Sequence, residues 1–259
     1  MDFGIRGKWA IVCASTKGLG LGCANALAEE GVNLVINGRG KESLVSSGNE
    51  IRTRFGVEVI EIQGDVTTEE GRNKLFEACP EPDIVVNNAA GPKAGMWTDW
   101  DREDFIAAFD SNLLAPIEMM KIALPKMIDK GWGRVVNITS QSVKAPIPVL
   151  GLSNTARAGL TGYVAGTSRQ VAQYGVTINN LLPGIHATDR SVYLDNETAK
   201  NTGITREEAE EQRKKTIPSG RYGQIEEFGA ACAFLCSQQA SFIVGQNLLL
   251  DGGAVNATM

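Results

Sequence analysis

The sequence predicts an α/β domain, a doubly wound, seven-stranded parallel sheet with helices on both faces. Three observations lead there. Short β-branched runs recur along the chain. Stretches with helical periodicity separate them. A glycine-rich turn joins the first run to the first helix.

The strands are expected at Trp9–Cys13, Asn33–Ile36, Val57–Ile62, Asp83–Val86, Arg134–Ile138, Val176–Asn179 and Gln246–Leu250. Leu19, Cys23, Ala26 and Leu27 follow helical spacing after the first run. Phe105, Phe109, Leu113, Ile117, Met120 and Leu124 mark one long helix. All 259 residues fit one domain, which is large enough to bury its core without disulfides or metals. With 43% hydrophobic and 21% charged residues, a disordered chain is excluded. The segment from about 189 to 220 breaks the rhythm. Its charge run Arg206–Lys215 reads as a solvated helix face. It follows the sixth strand, beyond whose C-terminal end ligands bind in such sheets, so it is expected to be a substrate lid.

A net charge of −5 argues against a dedicated binder of nucleic acid or anionic membrane. No apolar run approaches the roughly 18–20 residues of a membrane span, and residues 1–6 carry no signal core. The 5 cysteines include no Cys-x-x-Cys pair, which fits reduced thiols in the cytoplasm. Cys232 and Cys236, spaced i, i+4 on an apolar helix, read as core thiols. Without His or carboxylate partners they make no zinc site, and no metal is expected.

The first turn reads Val12-Cys13-Ala14-Ser15-Thr16-Lys17-Gly18-Leu19-Gly20-Leu21-Gly22. Small residues there let backbone N–H groups and a helix N-terminus approach a diphosphate. This spacing resembles the short-chain dehydrogenase/reductases, whose turn is Thr-Gly-x-x-x-Gly-x-Gly, with Ala14 in place of the first glycine. The likeness continues through Asp65-Val66, Asn87-Asn88-Ala89-Ala90-Gly91, Asn112, Asn137-Ile138-Thr139-Ser140, Pro183-Gly184-Ile185-His186-Ala187-Thr188, Gly245-Gln246 and Asp251-Gly252-Gly253.

The resemblance implies a Rossmann-type domain and hydride transfer between a carbonyl and an alcohol. It implies cofactor contacts from Ala14, Ser15, Thr16, Lys17, Gly18, Leu19 and Gly20, from Asp65 and Val66, from Asn88, Ala89 and Ala90, and from Pro183, Gly184, Ile185 and Thr188. It also implies a homo-oligomer, a tetramer, paired through Phe105–Asp129, Leu152–Tyr174 and the last strand. At the end of the second strand, Ile36-Asn37-Gly38-Arg39 offers no carboxylate for a ribose diol. Arg39, with Lys17, suits a 2′-phosphate, so the cofactor is expected to be NADP.

The family's Tyr-x-x-x-Lys is absent. Asn112 and Ser140 stand in their places, but Ser153 and Arg157 occupy the Tyr and Lys positions. An aliphatic hydroxyl is a far weaker acid than a phenol, and Arg stays protonated. Tyr163 and Tyr174 lie roughly 15 Å and 30 Å further along the same helix. Tyr193 in the lid and His186 in the clasp loop read as contact residues rather than acids. Gln141, Ser142 and Lys144 should border a small-molecule substrate, with Lys144 a surface cation. Met96, Trp97 and Trp100 read as packing. The sequence therefore supports an NADP-dependent oxidoreductase with a non-standard proton donor. Its alternatives are a non-redox lyase, epimerase or retro-aldol enzyme, and a catalytically silent nucleotide-binding protein.

Overall fold

The computed structural model describes residues 2–257; Met1, Thr258 and Met259 lie outside the described residues. The chain alternates β1 (Trp9–Val12), α1 (Gly18–Glu29), β2 (Asn33–Gly38), α2 (Lys41–Phe55), β3 (Val59–Gln63), α3 (Glu69–Ala78) and β4 (Ile84–Asn87). It continues through α4 (Arg102–Phe109), α5 (Ala115–Lys130), β5 (Gly133–Ile138), α6 (Gly151–Val171) and β6 (Val176–Pro183). The last elements are α7 (Asp189–Thr202), α8 (Arg206–Lys214), α9 (Ile225–Cys236) and β7 (Asn247–Leu250). All seven expected strands are present, and every pairing is parallel, in the order β3-β2-β1-β4-β5-β6-β7. The order reverses between β1 and β4, which makes that crevice the ligand-binding position of the sheet.

Side chains alternate across the strands, so each strand feeds two cores. Ala10, Val12, Leu34, Ile36, Ile84, Val86, Val136 and Ile138 pack with α1 and α9. Ile11, Val35, Val85, Val135 and Ile178 pack on the opposite face, with α5 and α6. Helices α1 and α9 approach so closely that a Cβ at Gly22 would overlap the Ile225 carbonyl. All five cysteines are free and buried, Cys232 and Cys236 among them.

The long helix expected through Phe105–Leu124 is interrupted. A π-helical turn at Asp110–Leu114 separates α4 from α5. Pro116 has no N–H to give the carbonyl of Asn112 four residues back, and the ladder widens there. The β6 strand runs four residues beyond its expected end, to Pro183.

A chain of side-chain amides crosses the C-terminal half of the sheet. Asn87 on β4 donates to Asn137 on β5 at 2.9 Å, Asn137 donates to Asn180 on β6 at 3.1 Å, and Asn180 donates to Asn247 on β7 at 2.8 Å. These pairs coincide with the backbone register of the four strands. Asn137 is buried and sits mid-chain. Replacing Asn137 by Ala removes two hydrogen bonds and orphans buried groups on Asn87 and Asn180, so it should destabilise by roughly 2–5 kcal/mol. Urea unfolding measures this; a change below about 1 kcal/mol would mean the chain does not hold the register.

Candidate active site

The turn after β1 is fixed from β2. Ala14 N–H donates to Asn37 Oδ1 at 3.3 Å and Ser15 N–H to the Asn37 carbonyl at 2.9 Å. Asn37 Nδ2 in turn donates to the carbonyls of Ile62 and Gly64, both at 3.1 Å. Asn88, after β4, donates to the Ala14 carbonyl at 3.2 Å. Asn37 was not singled out in the sequence as a site residue. Its signal is an amide near the C-terminal end of a strand whose middle residues are apolar.

The cradle fits a diphosphate. A Cβ at Gly20 would overlap the Ala14 carbonyl, and α1 starts with no side-chain cap, so its first amides are free for an anion. Thr188 lies against Gly18, where an added Cβ would meet its methyl at 3.6 Å. The expected cofactor residues Ala14 through Gly20, Asn88 and Thr188 therefore meet in one place. Ala14 carries a left-handed φ of 46°, the one non-glycine residue with positive φ among those described. What the sequence presents as a mild departure is a strained position.

Arg39 is exposed at the end of β2, with its Nη1 3.8 Å from the Asp65 carboxylate. Asp65 accepts from the Thr67 amide at 2.9 Å and its hydroxyl at 2.8 Å. These bonds, the amide foremost, hold its carboxyl below the usual range, with Arg39 a lesser cause. No carboxylate belongs to the end of β2 itself. Lys17 reaches toward the other rim, pairing with Asp189 at the start of α7 at 2.8 Å.

The π-turn delivers Asn112 into the sheet end. Its Nδ2 donates to the Ala90 carbonyl at 3.3 Å, while its buried Oδ1 has no partner. Ser140 extends from β5 and accepts the Ser142 amide at 3.1 Å, so it caps a short turn and keeps its own proton to donate. Ser153 and Arg157, one turn apart on α6, are both buried. Arg157 Nε donates to Ser153 Oγ at 3.2 Å and its Nη1 to the Ile138 carbonyl at 2.6 Å. Burial pulls the Arg157 guanidinium down to about 10, which still leaves it charged at neutral pH.

No tyrosine donates to this group. Tyr222 gives its hydroxyl to the buried Asp195 at 2.9 Å, and Tyr193 is half exposed beside Arg190. His186 is not solvent-facing. Its ring packs edge-on to Phe228 at 5.3 Å, and burial holds it below its ordinary value. Trp100 packs on Phe105 as expected, but Trp97 is 81% exposed and Met96 is exposed too, on the loop between β4 and α4. Lys144 is exposed. A cavity of about 390 Å³ is lined by His186, Arg221, Glu227 and Asp251. Its charges are already satisfied, with Arg221 on Glu227 at 2.6 Å and Asp251 accepting two backbone amides. Asn112, Ser140, Ser153 and Arg157 are not among its walls.

Residues 13–255 match the family model described as enoyl-(acyl carrier protein) reductase. The chain is 31% identical over 255 residues to the NADPH-dependent reductase BacG of Bacillus subtilis, covering 96% of this chain and 98% of that one. It is likewise 31% identical over 259 residues to the 3-oxoacyl-[acyl-carrier-protein] reductase FabG of Aquifex aeolicus, covering 98% and 99%. The structure superposes on L-sorbose reductase from Gluconobacter frateurii, solved with NADPH and L-sorbose, with a TM-score of 0.94 at 26% identity, covering 99% and 100%.

The strain at Ala14 is testable. A left-handed Ala costs about 1–2 kcal/mol, and glycine returns about 0.4–1 kcal/mol of that through unfolded-state entropy. Ala14→Gly should raise stability by up to about 1.6 kcal/mol, read as a higher urea midpoint at unchanged slope. A lower midpoint would show that the turn does not strain this residue.

Proposed function

The chain belongs to the short-chain dehydrogenase/reductase family, and from that premise we propose that it is an NADPH-dependent reductase interconverting a carbonyl and an alcohol. A hydroxyl–guanidinium pair stands where the family has a phenol and an amine. The observation that carries this reading is the convergence at one sheet end of the glycine cradle, Arg39 without a β2 carboxylate, and the Asn112–Ser140–Ser153–Arg157 group. The similar proteins are named as reductases and dehydrogenases, which does not favour a lyase, an epimerase or a silent binder.

Ala14 to Gly20 and Thr188 would hold the diphosphate, with Asp65, Val66 and Asn88 to Ala90 along the adenosine side. Arg39 would meet the 2′-phosphate, and Pro183, Gly184 and Ile185 would clasp the nicotinamide half. Bound NADPH supplies a hydride to the carbonyl carbon, and the oxygen takes a proton. Ser140 and Ser153 both have a free hydroxyl proton to point at that oxygen. Because an aliphatic hydroxyl does not release its proton near neutral pH, Ser153 passes one from water while the Arg157 charge stabilises the oxygen.

Helices α7 and α8 are read as the lid. Asp195 ties them together, accepting from Tyr222 and pairing with Arg213 at 3.2 Å. Lys17–Asp189 and a bond from Arg190 to the Pro92 carbonyl at 3.3 Å bridge the lid to the rims of the cleft. No helix among the described residues is long and apolar enough to cross a membrane. Five free thiols support a cytoplasmic setting. We also read the chain as a subunit of a homo-oligomer, a tetramer. Phe242 is fully exposed and Leu248, on the edge strand β7, partly so. A scattering mass of one chain at micromolar concentration would overturn that.

The experiment for the reaction follows NADPH consumption against a panel of small carbonyl compounds. Wild type should turn over with NADPH preferred to NADH. Arg39→Asp should weaken NADPH binding at least tenfold and leave NADH little changed, since a charge-assisted bond contributes roughly 1.5–3 kcal/mol. Ser140→Ala should bind NADPH normally and lose about 10²-fold in turnover. No NADPH binding, or turnover indifferent to Ser140, would reject the reading.

A further inference from the structure

Arg157 is 8% exposed, and no carboxylate among the described residues pairs with it. Two of its nitrogens are engaged by Ser153 and the Ile138 carbonyl. Its Nη2 has no protein partner, yet it is not among the sealed, unsatisfied atoms, so this edge of the guanidinium reaches solvent.

Two other arginines show how the same fold handles such a group. Arg134 gives Nε to the Ser237 carbonyl at the C-terminal end of α9, gives Nη1 to the carbonyls of Gly133 and Gly175, and lies 4.5 Å over the Trp132 ring. Arg213 faces the Asp195 carboxylate. One is neutralised by aligned dipoles and a π face, the other by an acid. Arg157 has a single carbonyl and a hydroxyl. A buried ion without a counter-charge is expensive to maintain, so its counter-charge is missing from the chain itself and must come with a ligand.

The dinucleotide phosphates are poorly placed to supply it. Arg157 is tied to the end of β5, whereas the phosphate cradle follows β1, with β4 between them. At about 4.8 Å per strand this separates the two by roughly 10 Å. The cradle also has its own positive groups in the α1 N-terminus, Lys17 and Arg39. The anion therefore belongs to the second ligand.

We propose that the substrate carries a carboxylate beside its reacting carbonyl, a 2-oxo acid in the reducing direction and a 2-hydroxy acid in the reverse. The open edge of Arg157 takes the carboxylate and Ser153 meets the carbonyl oxygen. Ser153 Oγ lies 3.2 Å from Arg157 Nε and Nη2 is the next nitrogen of the same guanidinium, so the two donors are neighbours, and a 2-oxo acid presents two neighbouring acceptors on adjacent carbons. Nη2 keeps both of its hydrogens and shares the guanidinium charge, so it offers the carboxylate a charge-assisted donor. This rests on the reading of the site as a carbonyl reductase.

Oxamate and oxamide test it, since they share a shape and differ in charge. Calorimetry with NADP⁺-saturated protein should give oxamate at least tenfold tighter binding than oxamide. Arg157→Gln should erase that ratio, and Arg157→Lys should keep part of it. In parallel, wild type should reduce 2-oxobutanoate with at least tenfold higher kcat/KM than 2-butanone, and Arg157→Gln should collapse that ratio while still binding NADPH. Equal binding of the two probes, or binding of neither, overturns the proposal. So does a ketone reduced as well as the acid, and in that case the reductase reading survives. If NADPH does not bind, or no carbonyl is reduced, the reductase reading fails and takes this proposal with it. An Arg157→Gln protein that does not bind NADPH is replaced by the Arg157→Lys variant, whose unchanged oxamate-to-oxamide ratio would equally count against Arg157 Nη2 as the anion's partner.

Discussion

Everything in the candidate site depends on strand register. The loops that build it leave β1, β2, β4, β5 and β6 at one end of a parallel sheet. A slip of one residue would turn each strand's side chains to the opposite core. Backbone hydrogen bonds alone do not choose among registers, because every register offers them. The amide chain Asn87–Asn137–Asn180–Asn247 does choose, since it closes only when four particular positions lie side by side. The consequences follow within a few residues. Asn88 reaches the Ala14 carbonyl directly after Asn87, Ser140 stands three residues beyond Asn137, and Pro183 stands three beyond Asn180. On the other side of the switch point, Asn37 does the same for β1, β2 and β3, tying the turn to two strands with one side chain. Fold and site thus share their fastenings.

The strands and the glycine turn were legible because their signals are local. A β-branched run or a small-residue turn states its conformation without its neighbours. The π-turn was not, because Phe105, Phe109, Leu113, Ile117 and Leu124 keep their helical spacing through it. The interruption is visible only in the hydrogen-bond ladder, with Pro116 as its mark in the sequence. Ala14 could be recognised as a replaced glycine, but its left-handed φ comes from the bonds to Asn37 and Asn88, which are tertiary. The burial of His186 beneath Phe228 and the exposure of Trp97 were unreadable for the same reason. Residue type favours one side of the surface, but the path of a loop decides it. The amide chain lay in plain view as four asparagines near strand ends, yet only the strand order makes them neighbours.

Ser140 illustrates why a functional and a structural role need not compete. Its oxygen accepts the Ser142 amide and so caps the turn after β5, a structural role. That bond uses a lone pair and leaves the proton. The cap therefore fixes the side chain while leaving its donor available, and a site residue held by its own local structure needs little further ordering when a ligand arrives.

In the proposed site a hydroxyl and a guanidinium, Ser153 and Arg157, give a different electrostatics from a phenol and an amine. A phenol contributes a proton that leaves near pH 10, whereas a buried guanidinium contributes a charge that stays. Burial pulls the Arg157 guanidinium well below its ordinary value, to about 10. Depression of a base means that the folded state disfavours the charged form. The penalty is in full force below about pH 10 and fades only as the pH rises from there toward the unfolded value. The empty protein is therefore destabilised by this residue throughout the neutral range. A ligand anion placed against the open edge would cancel the penalty and raise the value again, so the affinity for that anion draws on strain already present in the fold. Under the proposal of an anionic substrate, stability given up at Arg157 would be recovered when that substrate binds.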